Sequence, residues 1–145
     1  MNRCLYCGYW KEDDGLLSMD VIRRVVKKAH AEKVSEMLIL SGEKADRTLR
    51  VQKDLHSLGM DSFVSWTKNV CEYLLDEGIL SHVNIGTLDM DSLEQLREGS
   101  ASMGLMIEGV NADVNARIHP AKDLKKRMET IELAGRLQSA LKKTP

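Results

Sequence analysis

Hydrophobic and polar positions alternate along the chain with two different periods, and the alternation predicts helices separated by short strands. Ser18 is a favourable N-cap for a helix over 19–33, in which apolar residues recur at helical spacing. The run Glu36–Ser41 that follows is short and nearly all apolar. Such a run is typical of a strand that is buried on both faces.

The same pattern continues to the end of the chain. It predicts further helices over 45–58, from Asp61 or Ser62 to about Gly78, and from Asp89 or Asp91 across Leu93 and Leu96. It also predicts a long final helix over 124–141, whose apolar stripe is formed by Leu124, Met128, Ile131, Ala134 and Leu141. It predicts further strands over 82–86 and 102–107. Strands separated by helices require crossover connections, so the fold class is α/β with a parallel sheet. Three such strands form either a small open sheet or an arc of a βα-barrel.

Polar residues follow the predicted strands at the point where each strand ends. They are Ser41, Gly42 and Glu43 after the first strand, Asn84 and Gly86 at the second, and Glu108 after the third. Ligands of parallel α/β proteins bind at the carboxyl ends of the strands, so these residues indicate a site. Polar turn residues also end strands that bind nothing, and that alternative stays open for each residue alone.

Charge and hydropathy exclude two classes of partner. The chain has 21 basic and 22 acidic residues and a net charge of −1, so no basic surface is expected for nucleic acid or an anionic membrane. No apolar run approaches the ~20 residues that span a bilayer. No signal peptide precedes the first cysteines, so we expect a cytoplasmic protein with reduced thiols.

The pair Cys4 and Cys7 is the strongest chemical signal in the chain. Thiolates three residues apart can reach one metal ion or cluster, but two thiolates fill neither a zinc site nor an iron–sulfur cluster. A zinc half-site is one interpretation, although no second cysteine pair exists and the four histidines are scattered. Cys71 falls beside the apolar stripe of its helix and is predicted to be a core residue.

The residues around this pair carry a resemblance. The segment Asn2–Tyr9 resembles the second half of the radical S-adenosylmethionine (SAM) motif, Cys-x-x-x-Cys-x-aromatic-Cys. Cys4 and Cys7 match its second and third cysteines, and its first would fall immediately before Met1. Leu40–Glu43 resembles the Gly-Glu segment that such enzymes place after their second strand.

Three downstream segments resemble one subfamily, 7,8-didemethyl-8-hydroxy-5-deazariboflavin (FO) synthase, and in particular its ring-completing subunit. They are 78–88, 101–108 and 119–135. The resemblance implies a partial, TIM-like parallel βα-barrel and a single incomplete domain over 1–145. Ala45 stands where the family often has Pro, and the sequence ends soon after Gly135. We therefore expect a chain that is marginally stable, oligomerises or is inactive alone.

The resemblance also implies a reaction. Enzymes of this kind hold a 4Fe–4S cluster by three cysteines and bind SAM at the open iron, and reductive cleavage of SAM gives a 5′-deoxyadenosyl radical. FO synthase joins a tyrosine-derived fragment to 5-amino-6-(D-ribitylamino)uracil in coenzyme F420 biosynthesis. The expected partners are these small molecules and a second radical SAM subunit, with no nucleic acid and no membrane.

By resemblance, each candidate residue acquires an expected role. The cluster ligands are Cys4 and Cys7; Tyr6 packs beside the cluster and adenine; Gly42 and Glu43 meet the SAM amino group; Ser102 and Glu108 contact SAM or substrate; Asn84 is a polar contact; Arg127 reaches the SAM carboxylate. Other roles stay open for two of them. Arg127 can be solvated or ion-paired on a charged helix, and Glu43 can begin the helix that follows it.

Two other functions stay open. One is a different radical SAM enzyme of similar layout, of the menaquinone- or biotin-pathway type. The other is an inactive metal-binding remnant without enzymatic activity.

Overall fold

The computed structural model describes Cys4, Cys7, Gly8 and residues 15–141, with side chains as far as residue 137. In chain order, the described elements are α1 (Met19–Ala31), β1 (Glu36–Leu40), a 3₁₀ turn (Ala45–Arg47), α2 (Leu49–Ser57), α3 (Phe63–Asp76), β2 (Leu80–Asn84), α4 (Met90–Arg97), β3 (Ser102–Met103), α5 (Ala112–Ile118) and α6 (Leu124–Leu141). None of the described helices is both long and apolar enough to cross a bilayer.

The three strands form one parallel sheet in the order β1-β2-β3, which confirms the predicted α/β class. Leu38 is paired with His82, and His82 is paired in turn with Ser102. Each connection between neighbouring strands runs through helices, as parallel pairing requires. Within the described part of the chain the sheet is an open arc and does not close into a barrel.

Among the described residues, the helices that build the core cover one face of the sheet. Met37 and Ile39 of β1 and Val83 of β2 lie on this face and join the core with α1, α2, α3 and α4. On the opposite face Leu38 and Leu40 are 56% and 50% exposed. The prediction that this strand is buried on both faces was therefore wrong, because the apolar run says nothing about how many layers cover the strand.

The core is built mainly by α3, which carries an apolar face against the sheet and its neighbouring helices. The rings of Phe63 and Trp66 stack with centroids 5.8 Å apart and an interplanar angle of 15°. Cys71 and Leu74 are fully buried, which confirms the predicted core role of Cys71. Burial raises the pKa of the Cys71 thiol, so this cysteine stays neutral and unreactive.

The predicted caps form as their side-chain chemistry requires. Ser18, Ser62 and Asp89 each accept a hydrogen bond from the backbone amide three residues later, at 3.4, 3.0 and 2.9 Å. The prediction of one helix over 45–58 was wrong, because Thr48 adopts an extended conformation and divides it into a 3₁₀ turn and α2. Thr48 then caps α2 by accepting from the amide of Val51 at 3.3 Å.

The second and third strands differ from their predicted bounds, and one helix was not predicted. β2 begins and ends two residues earlier than 82–86, whereas β3 ends at Met103 instead of continuing to residue 107. After β3 the amide of Gly104 still donates to the carbonyl of Val83 at 2.9 Å, and further along Glu108 adopts a left-handed φ of +70°. The short helix α5, capped by Asn111, occupies a stretch whose pattern predicts no regular element.

The long helix α6 forms within its predicted bounds but buries a different face. Met128 and Ile131 of the predicted apolar stripe are exposed, whereas Arg127, Thr130 and Leu137 are buried. The Thr130 hydroxyl accepts from the amide of Leu88 at 3.2 Å and donates to the carbonyl of Leu88 at 3.0 Å. Polar bonds to the loops at the strand ends therefore orient this helix.

The cap of α4 gives a prediction about pH. Replacing Asp89 with Ala should lower the free energy of unfolding by about 1 kcal/mol at neutral pH. Hydrogen bonds from the Ser92 hydroxyl and amide hold the pKa of the Asp89 carboxyl below its usual value. The stabilisation by the ionised cap is therefore fully present above the pKa that Asp89 has in the unfolded chain. It is lost as the pH falls through the lower pKa that Asp89 has in the folded chain.

Urea unfolding of the wild-type and D89A chains at neutral and acidic pH measures the effect. Asp89→Asn is the matched control, because it keeps an oxygen acceptor without an ionisable group and should show little loss and little pH dependence. Equal stability of wild type and D89A at neutral pH would contradict the assignment of the cap.

Candidate functional site

The carboxyl ends of the three parallel strands meet at one edge of the sheet, where most of the predicted site residues lie. Gly42 and Glu43 follow β1, Asn84 is the last residue of β2, and Glu108 lies in the segment after β3. Arg127 approaches the same edge from the first turns of α6. The parallel topology therefore collects side chains that are far apart in the sequence.

A buried ion pair forms the centre of this edge. Arg127 Nη2 donates to Glu43 Oε1 at 2.6 Å, and the two side chains are only 4% and 5% exposed. Arg127 Nη1 donates to the backbone carbonyl of Met106. One guanidinium thus connects the end of β1 with the segment that follows β3, and two residues predicted for the same small molecule are in contact with each other.

The loop after β2 packs against this ion pair. Gly86 has a φ of +93°, and a Cβ on this residue would lie 2.9 Å from Glu43 Cγ. Glycine is required here both for the left-handed backbone and for the close approach to Glu43. Segments that follow all three strands therefore converge on one carboxylate and one guanidinium.

One buried donor of the pair finds no acceptor among the described residues. The Nε atom of Arg127 is buried and has no hydrogen-bond partner within the described part of the chain. A buried donor without an acceptor costs about 1–3 kcal/mol, so it marks a position where a ligand atom would be favourable. The side chain can therefore bind one further acceptor without releasing Met106.

A second ion pair lies after β3. Lys122, in the loop before α6, donates to the Glu108 carboxylate, and both side chains are largely buried. Glu108 holds this position with a left-handed backbone, which costs about 1–3 kcal/mol in a residue with a Cβ and is typical of functional sites. Lys122 had no predicted role.

Ser102 is connected to the middle of β2. His82 Nδ1 lies 2.7 Å from the Ser102 hydroxyl and 4.0 Å from a carboxylate oxygen of Glu36, on the sheet face that carries Leu38. A Cβ at Gly104 would lie 2.5 Å from His82 Nε2, so glycine makes room for the imidazole. His82 was not predicted as a site residue. Its side chain lies on the same sheet face as Leu38, with which it is paired in the register.

The two remaining strand-end candidates are Asn84 and Gly42. The carbonyl of Asn84 accepts from the amide of Ser41 at 3.2 Å, and the Asn84 residue is buried. Gly42 is exposed between this contact and the Glu43 side chain. Its backbone is therefore open to a ligand that approaches the strand ends.

The two candidate metal ligands lie on one turn. The amide of Cys7 donates to the carbonyl of Cys4 at 3.0 Å, and both cysteines are free thiols. Cys4 is buried, with the imidazole Nδ1 of His119 at 3.4 Å from its sulfur. Among the described residues no group of three or more His, Cys, Asp and Glu side chains is arranged to hold a metal ion. Tyr6 lies outside the described residues.

The sequence profile of the Radical SAM superfamily matches residues 1–140 of the chain. The chain belongs to this superfamily. Membership implies SAM and a 4Fe–4S cluster as cofactors.

Three relatives share the name 7,8-didemethyl-8-hydroxy-5-deazariboflavin synthase. The relative from Methanococcus maripaludis strain C5 is 36% identical over 142 residues, which cover 94% of this chain and 40% of the relative. That from Methanothermobacter thermautotrophicus is 34% identical over 143 residues, with 94% and 44% covered. That from Methanocaldococcus jannaschii is 31% identical over 142 residues, with 94% and 40% covered. The chain thus spans about two-fifths of the length of these relatives.

The Glu43–Arg127 pair gives a prediction about stability. Arg127→Leu should lower the free energy of unfolding by about 3–5 kcal/mol, because it leaves the Glu43 carboxylate buried without a partner. The double variant Glu43→Leu/Arg127→Leu should recover most of the loss, since no buried charge is left uncompensated. Chemical denaturation of the wild type, both single variants and the double variant measures the coupling between the two residues.

A matched control uses the exposed pair of Arg23 and Asp20, whose atoms are 2.9 Å apart. Arg23→Leu should change the stability by less than about 1 kcal/mol, because exposed pairs contribute little. Additive losses at Glu43 and Arg127 would contradict the buried pairing.

Proposed function

We propose that this chain forms part of a radical SAM FO synthase, in which it supplies cluster thiolates and the binding site for the amino acid end of SAM. The observation that carries the proposal is the buried Glu43–Arg127 pair at the strand ends of a radical SAM chain. Support for the FO synthase activity comes from relatives of that name that match 94% of the chain.

The donor set of the cysteine turn fits an iron–sulfur cluster. Cys4 and Cys7 are thiols on one turn, and thiolates are the usual ligands of such clusters. The two cysteines would provide two of the three protein ligands that the family uses. Cys71 would take no part, because it is fully buried within the core of α3.

The charge pair fits the amino acid end of SAM, which carries an ammonium and a carboxylate. The Glu43 carboxylate would accept from the ammonium, and the buried Arg127 Nε–H would donate to the carboxylate. A zwitterion brings one charge of each sign, so it can separate Glu43 from Arg127 without leaving either charge uncompensated. The exposed backbone of Gly42 would allow close approach beside Glu43.

The remaining residues would position substrate. The chemistry that a bound cluster and SAM supply is the reductive formation of a 5′-deoxyadenosyl radical. Asn84, the Ser102–His82 pair and the Glu108–Lys122 pair offer hydrogen-bonding groups to a tyrosine-derived intermediate and a ribitylaminouracil. A second radical SAM subunit would provide the intermediate on which this site acts.

Anaerobic reconstitution with iron and sulfide tests the metal ligands. The wild-type chain should bind iron and sulfide in equal amounts and show the brown absorption of an iron–sulfur cluster. Cys4→Ala and Cys7→Ala should each lose the cluster, because each removes a thiolate ligand. Cys71→Ala is the control and should retain it. Zinc binding in place of a cluster by the wild type would instead favour an inactive metal-binding remnant.

Equilibrium binding of SAM to the reconstituted chain tests the charge pair. Glu43→Gln should weaken binding about tenfold or more, since a hydrogen bond to a charged group contributes about 1.5–3 kcal/mol. Glu98→Gln is the control, because Glu98 is an exposed carboxylate paired with Lys68 on another part of the chain. Unchanged affinity in E43Q, with the cluster intact, would exclude Glu43 from the SAM site.

Formation of 5′-deoxyadenosine and of the deazaflavin product, with the second subunit present, then measures the reaction itself. Release of 5′-deoxyadenosine without a deazaflavin would favour a different radical SAM enzyme.

A further inference from the structure

A buried contact joins Cys4, the first described residue, to His119 at the end of α5. His119 Nδ1 lies 3.4 Å from Cys4 Sγ, across a sequence separation of 115 residues. Cys4 is 7% exposed and His119 is 6% exposed, so the contact is shielded from water. The distance is within the range of a hydrogen bond that involves sulfur.

The backbone of His119 is held on both sides. Its amide donates to the carbonyl of Asn115 at 2.7 Å, and its carbonyl accepts from the amide of Lys122 at 2.9 Å. The buried side chain of Asn115 donates in turn to the carbonyl of Gly109. Because these bonds fix the end of α5, the position of the imidazole next to Cys4 is determined by the surrounding fold.

Metal ligation fixes the direction of this hydrogen bond. A cysteine that binds iron is a thiolate, which has no proton and can only accept. The imidazole must then donate, so His119 has its proton on Nδ1. Hydrogen bonds of this kind orient the ligands of a metal site and adjust its electronic properties.

We propose that His119 is a positioning residue for Cys4, and that its Nδ1–H donates a hydrogen bond to the ligating Cys4 sulfur and favours the reduced state of the cluster. The proposal rests on the cluster-binding function proposed above. A donor to a ligand sulfur stabilises negative charge, and the reduced cluster carries one more negative charge than the oxidised one. Losing the donor should therefore make the cluster harder to reduce.

Two variants separate the hydrogen bond from the packing of the side chain. His119→Asn keeps an N–H donor at the same number of bonds from the backbone, whereas His119→Leu places a methyl group there. His56→Leu is the control, because His56 is exposed on α2. Reconstituted samples of the wild type and the three variants are titrated with reductant, and the reduced cluster is followed by electron paramagnetic resonance.

In H119L the ratio of reduced to oxidised cluster at a fixed potential should fall about tenfold, which corresponds to about 59 mV for one electron. H119N and H56L should remain close to wild type. An unchanged potential in H119L with an intact cluster would overturn the proposal. Strong coupling of the cluster to a directly bound histidine nitrogen would also overturn it, because His119 would then be a ligand.

A measurement on the chain without a cluster tests the His119–Cys4 contact independently of the proposed cluster-binding function. In the chain labelled with isotopic histidine, Cys4→Ala should shift the ring-nitrogen resonance of His119 and leave those of His30 and His56 unchanged. An unshifted His119 resonance would overturn the contact. Failure of the wild type to assemble a cluster, together with a shifted resonance, would reject the cluster function while retaining the hydrogen bond.

Discussion

The buried ion pair of Glu43 and Arg127 determines the geometry of the strand ends. Leaving either charge unpaired at this depth would cost several kcal/mol, so the two side chains must find each other when the chain folds. Their contact brings α6 to β1, the hydrogen bond to Met106 brings in the segment after β3, and Gly86 fits against Glu43. The edge of the sheet is therefore organised by charge, while apolar packing organises the layer beneath it.

The two faces of the sheet differ in character. The helix-covered face supplies the apolar core through residues such as Val83. The other face carries Leu38 and Leu40 together with the polar pair His82 and Ser102. An apolar surface that contains a few hydrogen-bonding groups is suited to small molecules with both ring and polar parts. The charged edge and this face adjoin at Asn84, the last residue of β2.

Local chemistry explains what could be predicted from the sequence. The caps at Ser18, Ser62 and Asp89 and the terminating glycines depend on neighbours within a few residues, so their signals lie in the sequence itself. The convergence of Glu43, Asn84 and Glu108 was predictable because parallel strands end at the same edge. The proposed role of Cys4 and Cys7 rests on their match to a known motif.

Other features depend on partners distant in the sequence. The buried face of α6 was predicted wrongly because Arg127 and Thr130 are polar, and their partners lie 84 and 42 residues away. The contact of His119 with Cys4 crosses nearly the whole chain, and no spacing rule connects them. The prediction that β1 is buried on both faces was wrong for another reason, since the hydrophobicity of a strand does not show whether a second layer covers it.

The attachment of α6 has a consequence for the strand ends. The main apolar cluster draws on α1 to α4 and the sheet but includes no described residue of α6. This helix is connected to the strand ends by the guanidinium of Arg127 and the hydroxyl of Thr130. Because α6 also packs on α4 and buries Leu137, its release from the fold would break the buried ion pair as well. Displacement of α6 would leave Glu43 buried without its partner, so the geometry of the strand ends depends on this helix staying in place.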